Sequence, residues 1–281
     1  MKAVTAAETS AARETQAAWD RIAPGYDTHV TGQHVALAEE CLQRAGLRSG
    51  MRFLDVAAGS GTLSIPAARM GAEVLATDIS PAMLRLLDAR ARKEGLAIET
   101  RAMDGHALAL DDGTFDCAGS QFGVMLFPDM PRGLSEMARV VKPGGRVLLI
   151  AFGDMRKVEF FAFFVAALRR VVPTFAGPPT TPLPFQLHDP ERVRREFAAA
   201  GFGDIRVETT SGKLTIASGQ DMWDWLVSSN PIVGAVLSDL ALSEAQTAEV
   251  VRTLDGMIRE RANGATHAVL THPINVGIGT K

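Results

Sequence analysis

The pattern that most constrains this chain is the alternation of short β-rich runs with helix-periodic stretches across residues 51–153. The runs MRFLDV (51–56), AEVLAT (72–77), AIETRAM (97–103), TFDCAGSQ (114–121) and RVLLIAF (146–152) read as five strands. Stretches 62–70, 81–95 and 131–141 carry helical spacing between them, and the second has Ser80 as its cap and Pro81 as its first residue. Strands joined by helical crossovers lie parallel in one sheet with helices on its faces. Turns are supplied by Asp111-Asp112-Gly113 and Pro143-Gly144-Gly145, where glycine takes positive φ freely and proline presets its own φ. The expected fold class is therefore α/β, a doubly wound sheet.

After residue 153 the rhythm changes. The apolar run FFAFFVAAL (160–168) sits between Glu159 and Arg169 and is far shorter than the ~20 residues that span a bilayer, so it reads as a buried or pocket-lining helix. The proline-dense stretch 171–185 cannot be a core strand. Asp189-Pro190-Glu191 opens a helix that ends at Ala200-Gly201, and strand character returns in 204–210 and 213–218. Residues 220–263 are helical, with starts at Asn230-Pro231 and Ser243; 268–280 is a last strand in which Pro273 signals an edge or a bulge. Before residue 51 the pattern is two helices joined by PGYDTHVTGQ (24–33). With no internal repeat and no flexible linker, the reading is a single domain over 1–281. It comprises an N-terminal helical lid (1–48), a core (51–153) and inserted cap segments (154–188 and 219–263).

Composition narrows the function. Apolar residues make up 47% and charged residues 22%, ordinary values for a globular domain, and a net charge of −3 provides no basic field for nucleic acid. Cys41 and Cys117 lack metal-ligand spacing and read as small buried residues of a reduced chain, so no metal is expected. The first 16 residues have no apolar signal region, which points to a cytoplasmic protein without a membrane segment.

The chemistry starts at Leu54-Asp55-Val56-Ala57-Ala58-Gly59-Ser60-Gly61-Thr62, a strand end that runs through a small-residue loop into a helix. Gly59 and Gly61 remove side chains where a ligand would touch backbone, and the helix start offers N–H donors. About 20 residues on, Asp78 ends the second strand, where doubly wound folds place an acid against ribose hydroxyls. Asp55 would repel a pyrophosphate but suits an ammonium, and Asp104 ends the third strand on the same sheet edge. Three carboxylates there match three donors of S-adenosylmethionine: the ammonium at Asp55, the ribose diol at Asp78 and the adenine amino group at Asp104.

On WDRIAPGYD (19–27), LDVAAGSGTLS (54–64), VLATDISPAML (74–84), RAMDGHALALDDGTFDCAGSQFGVMLFPD (101–129) and EMARVVKPGGRVLLIAFGD (136–154), the chain resembles the class I S-adenosylmethionine-dependent methyltransferases. Within them it is similar to the broad group that includes ubiquinone/menaquinone biosynthesis methyltransferases, over most of residues 13–210. The resemblance implies a seven-stranded, mostly parallel sheet with helical caps, and S-adenosylmethionine as cofactor. It implies that Asp55, Gly59 and Gly61 hold the methionine end, Asp78 and Ile79 the ribose and adenine, and Asp104 with Gly105 the adenine edge. Gln121 and Phe122 would lie beside the sulfonium and Tyr26 over the cofactor, with Ala57 and Met83 completing the set. Many members have glycine where this chain has Ala57.

The acceptor reads as a small molecule, because Ser120-Gln121-Phe122-Gly123 replaces the Asn/Asp-Pro-Pro-aromatic run of nucleic-acid amino-methyltransferases. Phe160, Phe161, Phe163 and Phe164, with Met125, Phe127, Trp223 and Trp225, suggest an apolar or aromatic acceptor held under the cap. His29, near the lid tyrosine, is the candidate base for a hydroxyl acceptor; His29, Met125 and Trp223 form the expected acceptor pocket. His106 is expected to border the cofactor, and His34, His267 and His272 have no identifiable partner. Two alternatives stay open: a nicotinamide-dependent oxidoreductase, and a cofactor-binding protein without catalysis.

Overall fold

The computed structural model of the protein describes residues 6–177, 180–229 and 231–281. Its strands are β1 (Arg52–Val56), β2 (Glu73–Asp78), β3 (Ile98–Ala102), β4 (Phe115–Gln121), β5 (Val141–Phe152), β6 (Gly203–Ile216) and β7 (Ala268–Thr280). They form one sheet in the order β3-β2-β1-β4-β5-β7-β6, in which β1 to β5 are parallel and β7 is antiparallel to both its neighbours. The order reverses between β1 and β4, and sheets of this kind bind ligands beyond the carboxyl ends of the strands at such a reversal.

Period-two alternation sends successive side chains of each strand to opposite faces. Leu54 and Val56 of β1 and Val147, Leu149 and Ala151 of β5 pack with α5 (Met130–Val140) and α7 (Pro190–Ala199). Phe53, Leu148 and Ile150 pack on the other face with α2 (Val35–Arg44) and α3 (Ser64–Arg69). On that same side Leu87 and Ala91 of α4 (Pro81–Lys93) cover Ala76 of β2. Ser80 caps α4 by accepting from the Met83 N–H at 3.1 Å.

The N-terminal segment departs from the expected pair of helices with a long joint. The first helix, α1 (Ala6–His29), continues through Pro24, and a single 3-10 turn (Thr31–His34) leads into α2. Tertiary contact overrides the proline: at Gly25 a Cβ would lie 2.6 Å from Ser228 Oγ, so α1 presses directly on α8 (Gly219–Ser229). Asp20 further ties α1 to the start of α4, accepting from Ser80 Oγ at 2.6 Å and Ala82 N–H at 3.0 Å.

The runs 204–210 and 213–218 merge into the one strand β6. Pro143-Gly144-Gly145 does not precede β5 but lies inside it, where the pairing with β4 slips from Phe115↔Val141 to Cys117↔Arg146. Pro273 lies where β7, an interior strand further along, has passed the end of β5 and pairs with β6 alone, so the strand is locally an edge there as its proline signals. Its carbonyl accepts from Gly153 N–H just past the end of β5, so the side of the strand that lacks an N–H faces no partner strand and the ladder to β6 is intact.

β6 and β7 run on beyond β5 as a two-stranded ribbon. The last β5 partner on β7 is Ile274, and the six preceding residues, about 20 Å of strand, pair with β6 alone. Leu214, Ile216, Ala268 and Leu270 of this ribbon join α6 (Glu159–Val171), α8 and α10 (Glu244–Ala262) in a separate apolar cluster, the cap. Ser243 starts α10 with a reciprocal capping box to Gln246, as its sequence position predicts. The helix start expected at Asn230 falls outside the described residues, and α9 begins at Pro231 (Pro231–Leu240). Gln186 Nε2 donates to the carbonyls of Met125 and Phe127 at 2.6 and 3.0 Å, and Asn275 Nδ2 to those of Leu187 and His188 at 2.9 and 3.0 Å. These four bonds hold the proline-rich segment against the sheet. Among the described residues no helix is long and apolar enough to cross a membrane.

Candidate active site

Two cavities open at the carboxyl ends of the parallel strands, of about 460 and about 390 Å³. Both fall in the ~300–1,000 Å³ range of small-molecule sites. The first lies where the strand order reverses. It is lined by Tyr26, Asp55, Ala57, Gly59, Asp78, Ile79, Met83, Asp104, Gly105, Gln121 and Phe122, eleven of the twelve residues singled out for a cofactor.

The twelfth, Gly61, lies behind the loop. Its φ is +100°, and a Cβ would sit 2.9 Å from Leu87 Cγ, so this glycine lets α4 pack against the loop and does not open the cavity. Gly59 is the one that faces the cavity, with φ +54° and the Tyr26 ring 3.7 Å from where a Cβ would be. Ala57 and Phe122 also hold left-handed backbone, at φ 56° and 57°. Strain at non-glycine residues on both sides of one cavity is characteristic of a functional wall. It also explains why glycine suits the position of Ala57.

Asp55, 1% exposed, receives a hydrogen bond from Ser64 Oγ on Oδ2 at 2.5 Å, and its Oδ1 has no partner. Burial pushes its carboxyl up to about 7, and the nearby Asp78 charge adds to the rise. Asp78 accepts from the Gly59 and Ser80 N–H groups, both at 2.8 Å, and burial still raises it to about 6. Burial and the Asp78 charge likewise raise the Tyr26 phenol to about 12, so its hydroxyl keeps its proton. Asp104 accepts from the ring and backbone of His106 at 2.7 and 2.9 Å, which holds it below the usual carboxylate range. Two buried acids with raised pKa values and one orphaned carboxylate oxygen suit a ligand's cationic group at the Asp55 end, while Arg132 lines the same cavity at the Asp104 end.

The far wall was not anticipated. Ala11, Ala12, Thr15 and Trp19 of α1 reach the cavity as a helical stripe, Ala11, Thr15 and Trp19 standing four residues apart before Pro24. Phe127, expected under the cap, belongs here: its ring lies 4.5 Å from that of His106, and a Cβ on Gly105 would meet it at 2.4 Å.

The second cavity lies under the cap and is mostly aromatic and aliphatic. Met125, Phe160, Phe161, Phe164 and Trp225 line it as expected, joined by Phe152, Phe185 and residues of α9. Trp223 does not reach it. Two residues apart on a helix place Trp223 and Trp225 about 200° apart; Trp225 is 3% exposed inside the cap, and Trp223 packs on the cap's outer side. His29 is also off the cavity: Trp19, Tyr26 and Val30 share one face of α1 and its continuation, and His29 is turned about 80° from it. The histidine at the wall is His34, brought in by the 3-10 turn, which has no local signal among its residues. Trp19, Tyr26, Phe122 and Leu126 line both cavities and form the boundary between them.

The sequence model of the ubiE/COQ5 methyltransferase family matches residues 9–177. The chain belongs to this family. A demethylmenaquinone methyltransferase of Renibacterium salmoninarum is 32% identical over 170 residues, covering 58% of this chain and 69% of the relative. An uncharacterised protein of Mycobacterium tuberculosis is 39% identical over 157 residues, 53% of this chain and 56% of that protein. The chain thus spans little more than half the length of its mycobacterial relatives. Among solved structures, phosphoethanolamine N-methyltransferase 2 of Haemonchus contortus in complex with S-adenosyl-L-methionine superposes with a TM-score of 0.54 at 22% identity. The match covers 88% of this chain and 52% of that one, and shares the fold alone. Membership of the ubiE/COQ5 methyltransferase family assigns S-adenosylmethionine as cofactor and sets the nicotinamide alternative aside. The first cavity fits that molecule: the orphaned Asp55 oxygen suits an ammonium, and the positive-φ backbone at Gly59 leaves room for close approach.

Proposed function

We propose that this chain transfers a methyl group from S-adenosylmethionine to a small, largely apolar or aromatic acceptor. The observation that carries the reading is the shared wall of Trp19, Tyr26, Phe122 and Leu126 between an acid-lined cavity and an apolar one. In this reading Asp55 Oδ1 accepts from the cofactor's ammonium, Asp78 from its ribose hydroxyls and Asp104 from its adenine amino group. Ala57 and Gly59 offer backbone, Ile79, Met83, Gly105 and Phe127 flank the base, and Gln121, Phe122 and Tyr26 border the reacting end.

When bound, S-adenosylmethionine supplies a methyl group already activated on a sulfonium. Such a transfer is an in-line displacement, so the protein's contribution is alignment and exclusion of water. The aromatic walls of the second cavity exclude water around an acceptor, and Tyr26 and Phe122 fix where the two molecules can meet. The name of the Renibacterium relative supports a small-molecule acceptor.

Calorimetric titration with S-adenosylhomocysteine and, separately, NADH tests the donor site. The nucleoside is expected to bind at micromolar concentration, and Asp78→Ala to weaken it by roughly ten-fold or more, the loss of hydrogen bonds to a charged group. Binding of NADH without the nucleoside would overturn the assignment.

A further inference from the structure

His34 and His272 form a buried imidazole pair that the reading above does not use. They are 5% and 1% exposed, and their rings meet edge to face at 5.6 Å. Phe122 lies 5.0 Å from His34; Phe152 and Phe160 lie 5.6 and 5.4 Å from His272. Neither ring nitrogen of His272 has a hydrogen-bond partner, and the same is true of the Trp225 indole Nε1. Among the described residues the His34 ring makes ring contacts and no hydrogen bond. The position of His272 is made by a special residue opposite: a Cβ on Gly212 would fall 2.3 Å from its Nε2. Buried polar groups in native proteins are nearly always paired, and a cluster left unpaired at a cavity wall marks a place for an absent partner.

The location adds direction. His34 and Trp225 line the apolar cavity, and His34 packs on Phe122, part of the boundary with the acid-lined cavity. The elements around the pair contribute Gln121, Phe152, Phe160, Gly212 and Trp225, all uncharged. Among the described residues lining this cavity the carboxylate is Asp239 of α9.

We propose that His34, backed by His272 and joined by the Trp225 indole N–H, is a neutral hydrogen-bonding subsite that selects an acceptor bearing a hydroxyl on an apolar body. The hydroxyl donates to an imidazole nitrogen at the end of the cavity nearest the donor site. Burial pushes His34 down to about 3 and His272 to about 4, so at neutral pH each offers one bare nitrogen and one N–H. A wall without cations disfavours an anionic group in the same place. The proposal rests on the apolar cavity being the acceptor site.

Calorimetry with 4-cyclohexylphenol, phenylcyclohexane and 4-cyclohexylbenzoate, one skeleton with three end groups, tests it. The phenol should bind roughly ten-fold tighter than the hydrocarbon, the gain of a buried neutral hydrogen bond, and the benzoate weakest. His34→Leu should reduce the phenol's advantage to near unity while the hydrocarbon still binds, and His34→Gln should retain part of it. Trp225→Phe, which removes the N–H and fills most of the space, is an independent arm if the His34 variants fold poorly, and should also narrow the gap. Equal binding of phenol and hydrocarbon to the native protein, or an advantage that survives both His34→Leu and Trp225→Phe, overturns the subsite. Failure of all three probes overturns the acceptor-cavity reading itself, whereas S-adenosylhomocysteine binding reports on the donor cavity separately.

Discussion

The two cavities share a wall yet are made from different material. The acid-lined cavity draws on residues 11–132, all inside the 9–177 stretch that matches the family. The apolar cavity reaches from Trp19 to Leu240 and takes Thr180, Phe185, Trp225 and the α9 side chains from beyond that stretch. The first is shaped by backbone: strand ends, positive φ at Ala57, Gly59 and Phe122, and N–H groups that hold Asp78. The second is shaped mostly by side-chain packing, on a proline-rich segment that Gln186 ties to the carbonyls of Met125 and Phe127. A site fixed by main chain stays legible in sequence across a family, whereas one fixed by packing changes with every side chain that lines it.

That contrast can be broken by experiment. The largest effect is expected in the cap. Trp225 is buried edge-on to Phe160 at 4.8 Å, and Trp225→Ala should cost about 3–5 kcal/mol of stability, read by denaturant unfolding. S-adenosylhomocysteine affinity should stay within about two-fold; a parallel collapse would mean that the cavities are not separate in energy.

The converse change is smaller. Asp55→Asn keeps a partner for Ser64 but removes the charge, and should weaken S-adenosylhomocysteine by roughly 10- to 100-fold while leaving phenylcyclohexane binding unchanged.

The pH response refines this further. Asp55 and Asp78 have folded values of about 7 and about 6, raised mainly by burial. A raised acid stabilises the free protein below its unfolded value near 4, and that contribution is lost as pH rises through 6–7. A ligand ammonium requires the ionised form, so affinity for S-adenosylhomocysteine should rise about ten-fold between pH 6 and pH 8. The melting temperature of the free protein should fall over the same interval, and less so in Asp55→Asn. An affinity flat across that range would show that no buried carboxylate meets the ammonium.

What the sequence displayed follows the same division. Local chemistry was readable: Ser80 and Pro81 open α4, Ser243 opens α10, and Asp55, Asp78 and Asp104 lie within two residues of the ends of three successive strands. Features decided by tertiary contact were not. Pro24 looks like a break until α8 presses on Gly25, and Pro143-Gly144-Gly145 looks like a turn before β5 until the slip in its pairing with β4 shows it lies inside the strand. Spacing could have separated Trp223 from Trp225 and turned His29 away from Tyr26, because both follow from 3.6 residues per turn. The pairing of His34 with His272 joins residues from opposite ends of the chain, and only the folded path brings them together.

The ribbon of β6 and β7 has a consequence for how such a protein changes over time. Ile216 is paired with Ala268, so the stretch that carries α8, α9 and α10 leaves and re-enters the sheet at adjacent points. A loop whose ends already meet can be lengthened, shortened or swapped with little change in the closure entropy and none in the ladder below it. The wall that α8 and α9 give to the apolar cavity is thereby an exchangeable cassette, and it can change while the strand ends that line the acid-lined cavity remain as they are.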